Sequence, residues 1–163
     1  MEYTISQIQK AVAPNPFCLI TTRKPDGATN AMALSWWTFV SNRPATIAVC
    51  LSQKGYSGEL IAKNSEFALN IVGEALKDSA FRCGTCSGRS VDKVAEFGIE
   101  LAEPSVIDTK LVACSRVSLE CKLIQAVPVQ DHTMYIAEVV ETHFNEGIKQ
   151  LYAFDGYGRL DTI

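Results

Sequence analysis

Apolar positions along this chain follow two rhythms. Near the start, Ile5, Ile8 and Val12 recur at helical spacing behind Thr4-Ile5-Ser6-Gln7, a pattern resembling a capping box, until Pro14 stops the run. A short N-terminal helix is expected. Phe17 to Thr22, Ala28 to Val40 and Thr46 to Leu51 are instead β-rich, joined by turn residues too few to hold a crossover helix. This predicts an antiparallel meander. Gly58 to Lys63 reads as a short helix, Phe67 to Ile71 as a strand and Glu74 to Phe81 as a second helix. Beyond Pro104, Leu111 to Ala126 and Thr133 to Phe144 are long β-rich segments, the second alternating less cleanly than the first. Six or more mostly antiparallel strands with short helices between them imply a mainly β fold, a small barrel whose closure removes exposed edges. With no repeat or linker in 163 residues, residues 1–163 are expected to be a single domain.

Within the second β-rich segment, Asn30-Ala31-Met32-Ala33-Leu34-Ser35-Trp36-Trp37 carries the strongest local pattern. Strand alternation puts Ala31, Ala33 and Ser35 on one face and Met32, Leu34 and Trp36 on the other. A face of small residues either packs against another backbone or leaves room for a ligand.

Charge and cysteine content narrow the function classes. A formal charge of −3 lacks the basic field by which nucleic-acid binders neutralise phosphates. No nucleic-acid partner is expected. The opening Met1-Glu2-Tyr3-Thr4-Ile5-Ser6 has neither a basic flank nor an apolar run, and no apolar segment approaches the roughly 20 residues of a membrane span. The expectation is a soluble cytoplasmic protein. Cys18, Cys50, Cys114 and Cys121 sit inside apolar runs and read as buried thiols. Cys83-Gly84-Thr85-Cys86 has the spacing of a metal clamp or redox pair, but it follows a helix and precedes a Ser-Gly turn, which a thioredoxin-type motif does not.

Three further segments could carry chemistry. Lys54-Gly55-Tyr56-Ser57-Gly58 lies between a strand and a helix, where free amides, a lysine and a hydroxyl could cradle a phosphate; the Gly-Lys-Ser/Thr ending of a Walker loop is missing. Arg89 and Lys93 in Ser87-Gly88-Arg89-Ser90-Val91-Asp92-Lys93 would share a face if helical, and could instead be solvated charges beside Asp92. His132 and His143 stand an odd number of positions apart on one expected strand, which disfavours a shared metal site unless a bulge intervenes. His132 follows Asp131 at the strand's start. No Ser-His-Asp or Cys-His arrangement emerges from these spacings.

Taken in order, these residues resemble the flavin reductase-like family of FMN-binding split barrels, and most of all its flavoredoxin branch. The resemblance runs from about Pro14 to Leu160. It is carried by Thr21-Thr22, Asp26-Gly27, Asn30-Ala31, Ser35-Trp36 leading to Val40-Ser41, and Glu66-Phe67 with Asn70. Cys83-Gly84, Ser87-Gly88-Arg89, Asp92-Lys93, Asp131-His132 and Tyr157-Gly158-Arg159-Leu160 complete it. The family implies a Greek-key-like six-stranded split barrel and non-covalent FMN at the interface of a homodimer. By resemblance, Asn30, Ala31, Met32, Ala33, Leu34, Ser35 and Trp36 would run beside the flavin. Lys54, Tyr56 and Ser57 would take the ribityl phosphate, Ser52 would be a further cofactor-binding residue, Arg89 and Lys93 would contribute from a segment reaching across the dimer, and His132 would stand near the ring. Many members carry Thr where this chain has Ser57, and smaller residues are frequent where it has Leu34. The implied activity is that of an FMN-dependent oxidoreductase or electron carrier, taking electrons from NAD(P)H or a protein donor and passing them to a flavin, metal or protein acceptor. The sequence holds no Gly-x-Gly-x-x-Gly nicotinamide fingerprint. A non-catalytic flavin or haem module on the same barrel, and a thiol or metal redox protein built on Cys83 and Cys86, are the alternatives.

Overall fold

The computed structural model describes residues 2–163; Met1 is outside the described residues. Thr4 opens the first helix by the capping box, its hydroxyl accepting the Gln7 amide at 3.2 Å while Gln7 Oε1 accepts the Thr4 amide at 2.8 Å. This helix, α1 (Ile5–Ala11), buries none of its residues, so Ile5 and Ile8 stay exposed, with Val12 beyond them.

Seven strands form one sheet: β1 (Cys18–Arg23), β2 (Thr29–Leu34), β3 (Trp37–Asn42), β4 (Ala45–Ser52), β5 (Glu66–Val72), β6 (Ser115–Val129) and β7 (His132–Phe144). Their order is β2-β1-β5-β6-β7-β4-β3, antiparallel throughout. The expected continuous run from Ala28 to Val40 is therefore two strands, and its halves lie on opposite edges of the sheet. The three segments from Phe17 to Leu51 therefore do not form the expected meander, since β3 pairs with β4 and not with β2. The break is local and has visible causes: the Trp37 amide turns back to the Ser35 carbonyl at 3.1 Å, and the Ser35 amide donates to the Tyr157 hydroxyl at 3.1 Å instead of to a strand. Trp36 then pairs with β4 through its carbonyl, which accepts the Cys50 amide at 2.8 Å.

A single buried cluster takes residues from six of these strands, among them Ile20, Leu34, Val49, Phe67, Leu119 and Tyr135, while β3 adds only the partly buried Trp37. Edge strand β2 and distant β4 can meet in one cluster only if the sheet curls, so the architecture is a split barrel with seven strands in its sheet and six lining its core. The outer face of β1 and β2 is covered by α3 (Lys77–Cys83) and the chain's last residues, burying Leu19, Ala31, Ala33, Ala80, Cys83 and Leu160. The expected helix over Glu74 to Phe81 is a 3₁₀ turn, Glu74–Leu76, followed by α3.

Beyond α3, the segment expected as one strand from Leu111 to Ala126 is interrupted at Cys114, whose φ of 58° bends the chain before β6 begins. Cys114 is accordingly exposed, and Cys50 half-buried, while Cys18 and Cys121 are buried as expected. Two buried carboxylates hold the preceding loop against the sheet. Glu120 accepts the amides of Ser105, Val106 and Ile107 at 2.6, 2.7 and 2.9 Å, and Glu66 accepts those of Asp108 and Thr109, both at 2.9 Å. Burial alone would raise the Glu120 pKa, but these amides and His143 at 2.6 Å together pull it down to about 2. No helix among the described residues is long and apolar enough to cross a membrane.

Candidate functional site

Where β4 ends, Ser52 begins a tight turn: its carbonyl accepts the Gly55 amide at 2.9 Å and its hydroxyl the Lys54 amide at 3.4 Å. Helix α2 (Tyr56–Asn64) starts immediately, with Gly55 at its N-cap and no side chain capping it. The first amides of α2 are thus available to an anion. They border a cavity of about 490 Å³ whose lining includes Ser52, Lys54, Tyr56, Ser57 and Lys93.

Across this cavity the chain after α3 approaches β2 closely. A Cβ on Gly88 would lie 1.8 Å from Asn30 Oδ1, and one on Gly84 would lie 3.3 Å from the Tyr157 ring. Asn30 itself is buried and fixed on one side, its Nδ2 donating to Ser57 Oγ at 2.9 Å and to Thr22 Oγ1 at 3.2 Å. Its Oδ1 has no partner. A buried amide oxygen left unpaired costs on the order of 1–3 kcal/mol, so this is an acceptor placed for a donor. Ser57 Oγ, accepting from Asn30, keeps its own proton for another acceptor.

Arg89 and Lys93 are not brought together. The intervening residues form a turn, and a separate short helix α4 (Lys93–Glu96) begins only after Asp92, whose carboxylate accepts the Ala95 amide at 3.2 Å. Arg89 lies over the Tyr56 ring at 4.9 Å and pairs with Glu59 through two bonds. Lys93 is buried, donates to the Cys83 carbonyl at 2.8 Å, and has its pKa lowered by that burial, with Cys83 opposing. Cys83 is itself buried, and burial pushes its thiol up to about 11 despite Lys93 nearby. A thiol so raised is a poor nucleophile. Cys86 is half-buried and lines the cavity, and all six cysteines are free. Among the described residues no group of three or more His, Cys, Asp or Glu could hold a metal ion.

A second cavity, of about 580 Å³, adjoins the first, sharing Met32 and Ser52 as lining residues. Its walls include Leu34, Trp36, Cys50, His132 and Tyr157. The register His132↔Ser52 between β7 and β4 sets His132 at this rim, where its ring lies 4.9 Å from that of Trp36, tilted by 30°. Asp131 Oδ1 sits 2.8 Å from His132 Nδ1, and this bond and its charge hold the Asp131 pKa below the usual carboxylate value. Burial raises the Tyr157 phenol, whose oxygen accepts the Ser35 amide. Lys10 of α1, paired with Asp155 at 2.9 Å, ties the N-terminal helix to the loop that closes this side.

The structure thus separates the faces of β2. Ala31 packs into the outer core with Ala80 and Cys83, as does Ala33, which also borders the second cavity. Asn30 and Met32 are the side chains of β2 that line the first. Thr85, Cys86 and Gly88 of the first cavity and Cys50, Lys10 and Tyr157 of the second are lining residues that no sequence pattern marks as part of a site. The two glycines that bracket Thr85-Cys86-Ser87 are the nearest thing to a signal for the first three.

FMN reductase (NADH) RutF of Pseudomonas syringae pv. syringae is 26% identical over 136 residues, covering 83% of this chain and 74% of that protein. A protein of Aeropyrum pernix is 26% identical over 121 residues, 74% of this chain, but the chain spans only 46% of its length. Among solved structures, flavoredoxin from Methanosarcina acetivorans superposes with a TM-score of 0.84 at 21% identity, covering 93% of this chain and 86% of that one. Residues 11–161 match the flavin reductase like domain, and the chain belongs to that family.

Proposed function

We propose that this chain is an FMN-dependent oxidoreductase of the flavin reductase and flavoredoxin kind, holding FMN non-covalently across the two cavities. The observation that supports this most is the order of chemistry along them. Lys54, Lys93 and the α2 amides line one end, the unpartnered Asn30 Oδ1 follows, and the rings of Trp36, His132 and Tyr157 border the other end. FMN has the same order: a phosphate, a polyhydroxylated chain and a fused aromatic ring.

In this reading Lys54, the α2 amides and the Ser57 hydroxyl bind the phosphate, each charge-assisted bond contributing roughly 1.5–3 kcal/mol. Asn30 Oδ1 accepts a hydroxyl of the chain, and Met32 borders the junction of the cavities. The ring, when bound, supplies the redox chemistry. His132, with Nδ1 held by Asp131, keeps Nε2 for a bond at the ring side. Electrons would come from NAD(P)H or a reduced protein and leave to a flavin, metal or protein acceptor.

The functional unit is proposed to be a homodimer with FMN at its interface. Supporting this, edge strand β3 leaves Phe39 72% and Val40 52% exposed, apolar surface that a second copy would cover. Titration of the purified protein with FMN, followed by anaerobic addition of NADH, NADPH or reduced ferredoxin, tests the whole reading. Binding and reduction by one of these donors are expected. A colourless protein that takes up no added FMN would overturn it, and binding without reduction by any donor would leave a flavin-storing module in place of an oxidoreductase.

A further inference from the structure

Cys83-Gly84-Thr85-Cys86 has no part in the FMN assignment, although its last three residues line the first cavity. The chain stays wound through it. The Gly84 amide donates to the Phe81 carbonyl and the Thr85 amide to that of Arg82, both at 3.0 Å, and Cys86 Sγ lies 3.8 Å from the same Arg82 oxygen. These are bonds between residues three apart, a spacing at which side chains eclipse, so Cys83 and Cys86 stand one turn apart on one side. Residues so spaced have Cβ atoms about 5–6 Å apart, and a disulfide needs about 3.5–4.5 Å, so a bridge requires this turn to tighten by about 1–2 Å.

The two thiols differ in access. Cys83 is buried against Ala31, Ala33 and Ala80, whereas Cys86 lines both the first cavity and a third, of about 650 Å³, between the end of α3 and α4. A small oxidant therefore meets Cys86 from either side. Lys93 stands beside the pair: its Nζ donates to the Cys83 carbonyl at 2.8 Å, and negative charge on either sulfur favours its ammonium form. A lysine so placed favours thiolate in return. On the cavity side the wall has no slack. Gly88, two residues past Cys86, already lies so near Asn30 that a Cβ there would be 1.8 Å from Oδ1, and Asn30 in turn holds Ser57 Oγ at 2.9 Å. A turn that tightens at Cys86 shifts Gly88 against Asn30 and shifts the carbonyl that holds Lys93, so it disturbs three groups assigned to the flavin at once.

We propose that Cys86 is a peroxide-reactive thiol and that Cys83 closes on it as a disulfide that loosens FMN. The Cys86 thiolate attacks one oxygen of hydrogen peroxide, the O–O bond breaks, and hydroxide leaves to become water, giving a sulfenic acid. Cys83 sulfur then displaces the sulfenic oxygen: the S–S bond forms, the S–O bond breaks, and a second water carries away the Cys83 proton. Two thiols thus lose two electrons and two protons, and one peroxide becomes two waters. Burial makes Cys83 a weak nucleophile, but its place one turn from Cys86 gives it a high effective concentration. The effect on FMN rests on the flavin reading above; the disulfide does not.

Equimolar hydrogen peroxide added to the FMN-free protein, followed by alkylation and peptide mapping, tests the disulfide; fluorescence titration with FMN before oxidation, after it and after dithiothreitol tests its effect. A Cys83–Cys86 linked peptide is expected in the unaltered chain. In Cys83→Ser the reaction should stop at a Cys86 sulfenic acid, trapped by dimedone, and in Cys86→Ser no bridge should form and FMN affinity should not respond to peroxide. The bridged protein is expected to bind FMN about tenfold more weakly, the scale of one lost hydrogen bond, and to recover on reduction. Oxidation of exposed Cys114 with Cys83 and Cys86 still free, or a bridge that leaves FMN affinity unchanged, would overturn the proposal and leave the FMN reading standing. A reduced chain that takes up no FMN would overturn the FMN reading and the effect on it, while the mapping would still decide whether the pair closes.

Discussion

Gly88→Ala is the most direct probe of the first cavity, because the added methyl has nowhere to go. Its carbon would lie 1.8 Å from Asn30 Oδ1 and 2.8 Å from Asn30 Cγ, well inside contact distance, and Asn30 is a buried side chain rather than a flexible one. Asn30 must then rotate or β2 must shift, and either movement breaks the bonds from Asn30 Nδ2 to Ser57 Oγ and Thr22 Oγ1. Two lost buried hydrogen bonds at about 1 kcal/mol each, with some of these groups left unpaired, amount to a destabilisation of roughly 2–4 kcal/mol. In the proposed function FMN affinity falls as well, because Ser57 and Asn30 both leave their places. Urea denaturation followed by near-ultraviolet and far-ultraviolet circular dichroism measures the first effect, and flavin fluorescence quenching the second. Gly147→Ala is the control, since its Cβ would meet nothing closer than 3.5 Å. A Gly88→Ala protein as stable as Gly147→Ala and undiminished in FMN binding would refute the reasoning, including the placement of Asn30 against this loop.

Other perturbations reach different parts of the site. Lys54→Ala should weaken FMN about tenfold, the loss of one charge-assisted bond, and flatten the salt dependence of binding, whereas Lys77→Ala, whose ammonium lies 3.3 Å from Asp161, should leave affinity unchanged by titration. Glu120 has a folded pKa of about 2, below its unfolded value, so its contribution, on the order of 3 kcal/mol, is present above pH 5 and is lost as pH falls toward 2. Glu120→Gln should remove that part of the acid sensitivity in denaturation midpoints measured from pH 3 to pH 7, at the cost of lower stability at neutral pH. Thiol labelling followed by mass spectrometry should mark exposed Cys114 first and half-buried Cys86 and Cys50 next, leaving buried Cys18, Cys83 and Cys121 protected, and added FMN should slow labelling of Cys86 and Cys50 but not of Cys114. Equal protection of Cys114 would count against the first cavity as the flavin's place.

Much of this arrangement was legible from residue order. Thr4 and Gln7 form the capping box their spacing describes, the turn before α2 leaves its amides uncapped as Gly55 implies, and Asn30, Met32, Ser52, Lys54, Tyr56 and Ser57 all come to one cavity. Arg89 and Lys93 defeated a spacing argument, because Asp92 caps a new helix between them and so resets the periodicity. The fate of Ala31 was open for a different reason. Alternation tells which residues share a face but not which face is covered, and it is α3, distant in sequence, that covers the small one.

The same limit explains the misread strand from Ala28 to Val40, and it links the fold to the site. β-rich composition continues through Ser35 and Trp36, so nothing local marks a break there. At the break the phenol oxygen of Tyr157, 122 positions from Ser35, takes the amide that would otherwise join a strand ladder. Three features meet around this one bond. β2 and β3 part to opposite edges of the sheet, which splits the barrel; Trp36 is turned onto His132; and Tyr157 closes the second cavity beside them. Tyr157→Phe keeps the ring that packs against Phe17 while deleting the acceptor, leaving a buried amide unpaired at a cost of about 1–3 kcal/mol. If the split is what builds the second cavity, this variant should lose stability and loosen the stack of Trp36 on His132, read as a red-shifted and less structured tryptophan emission. An unchanged spectrum with unchanged stability would mean that the edges part without help from Tyr157.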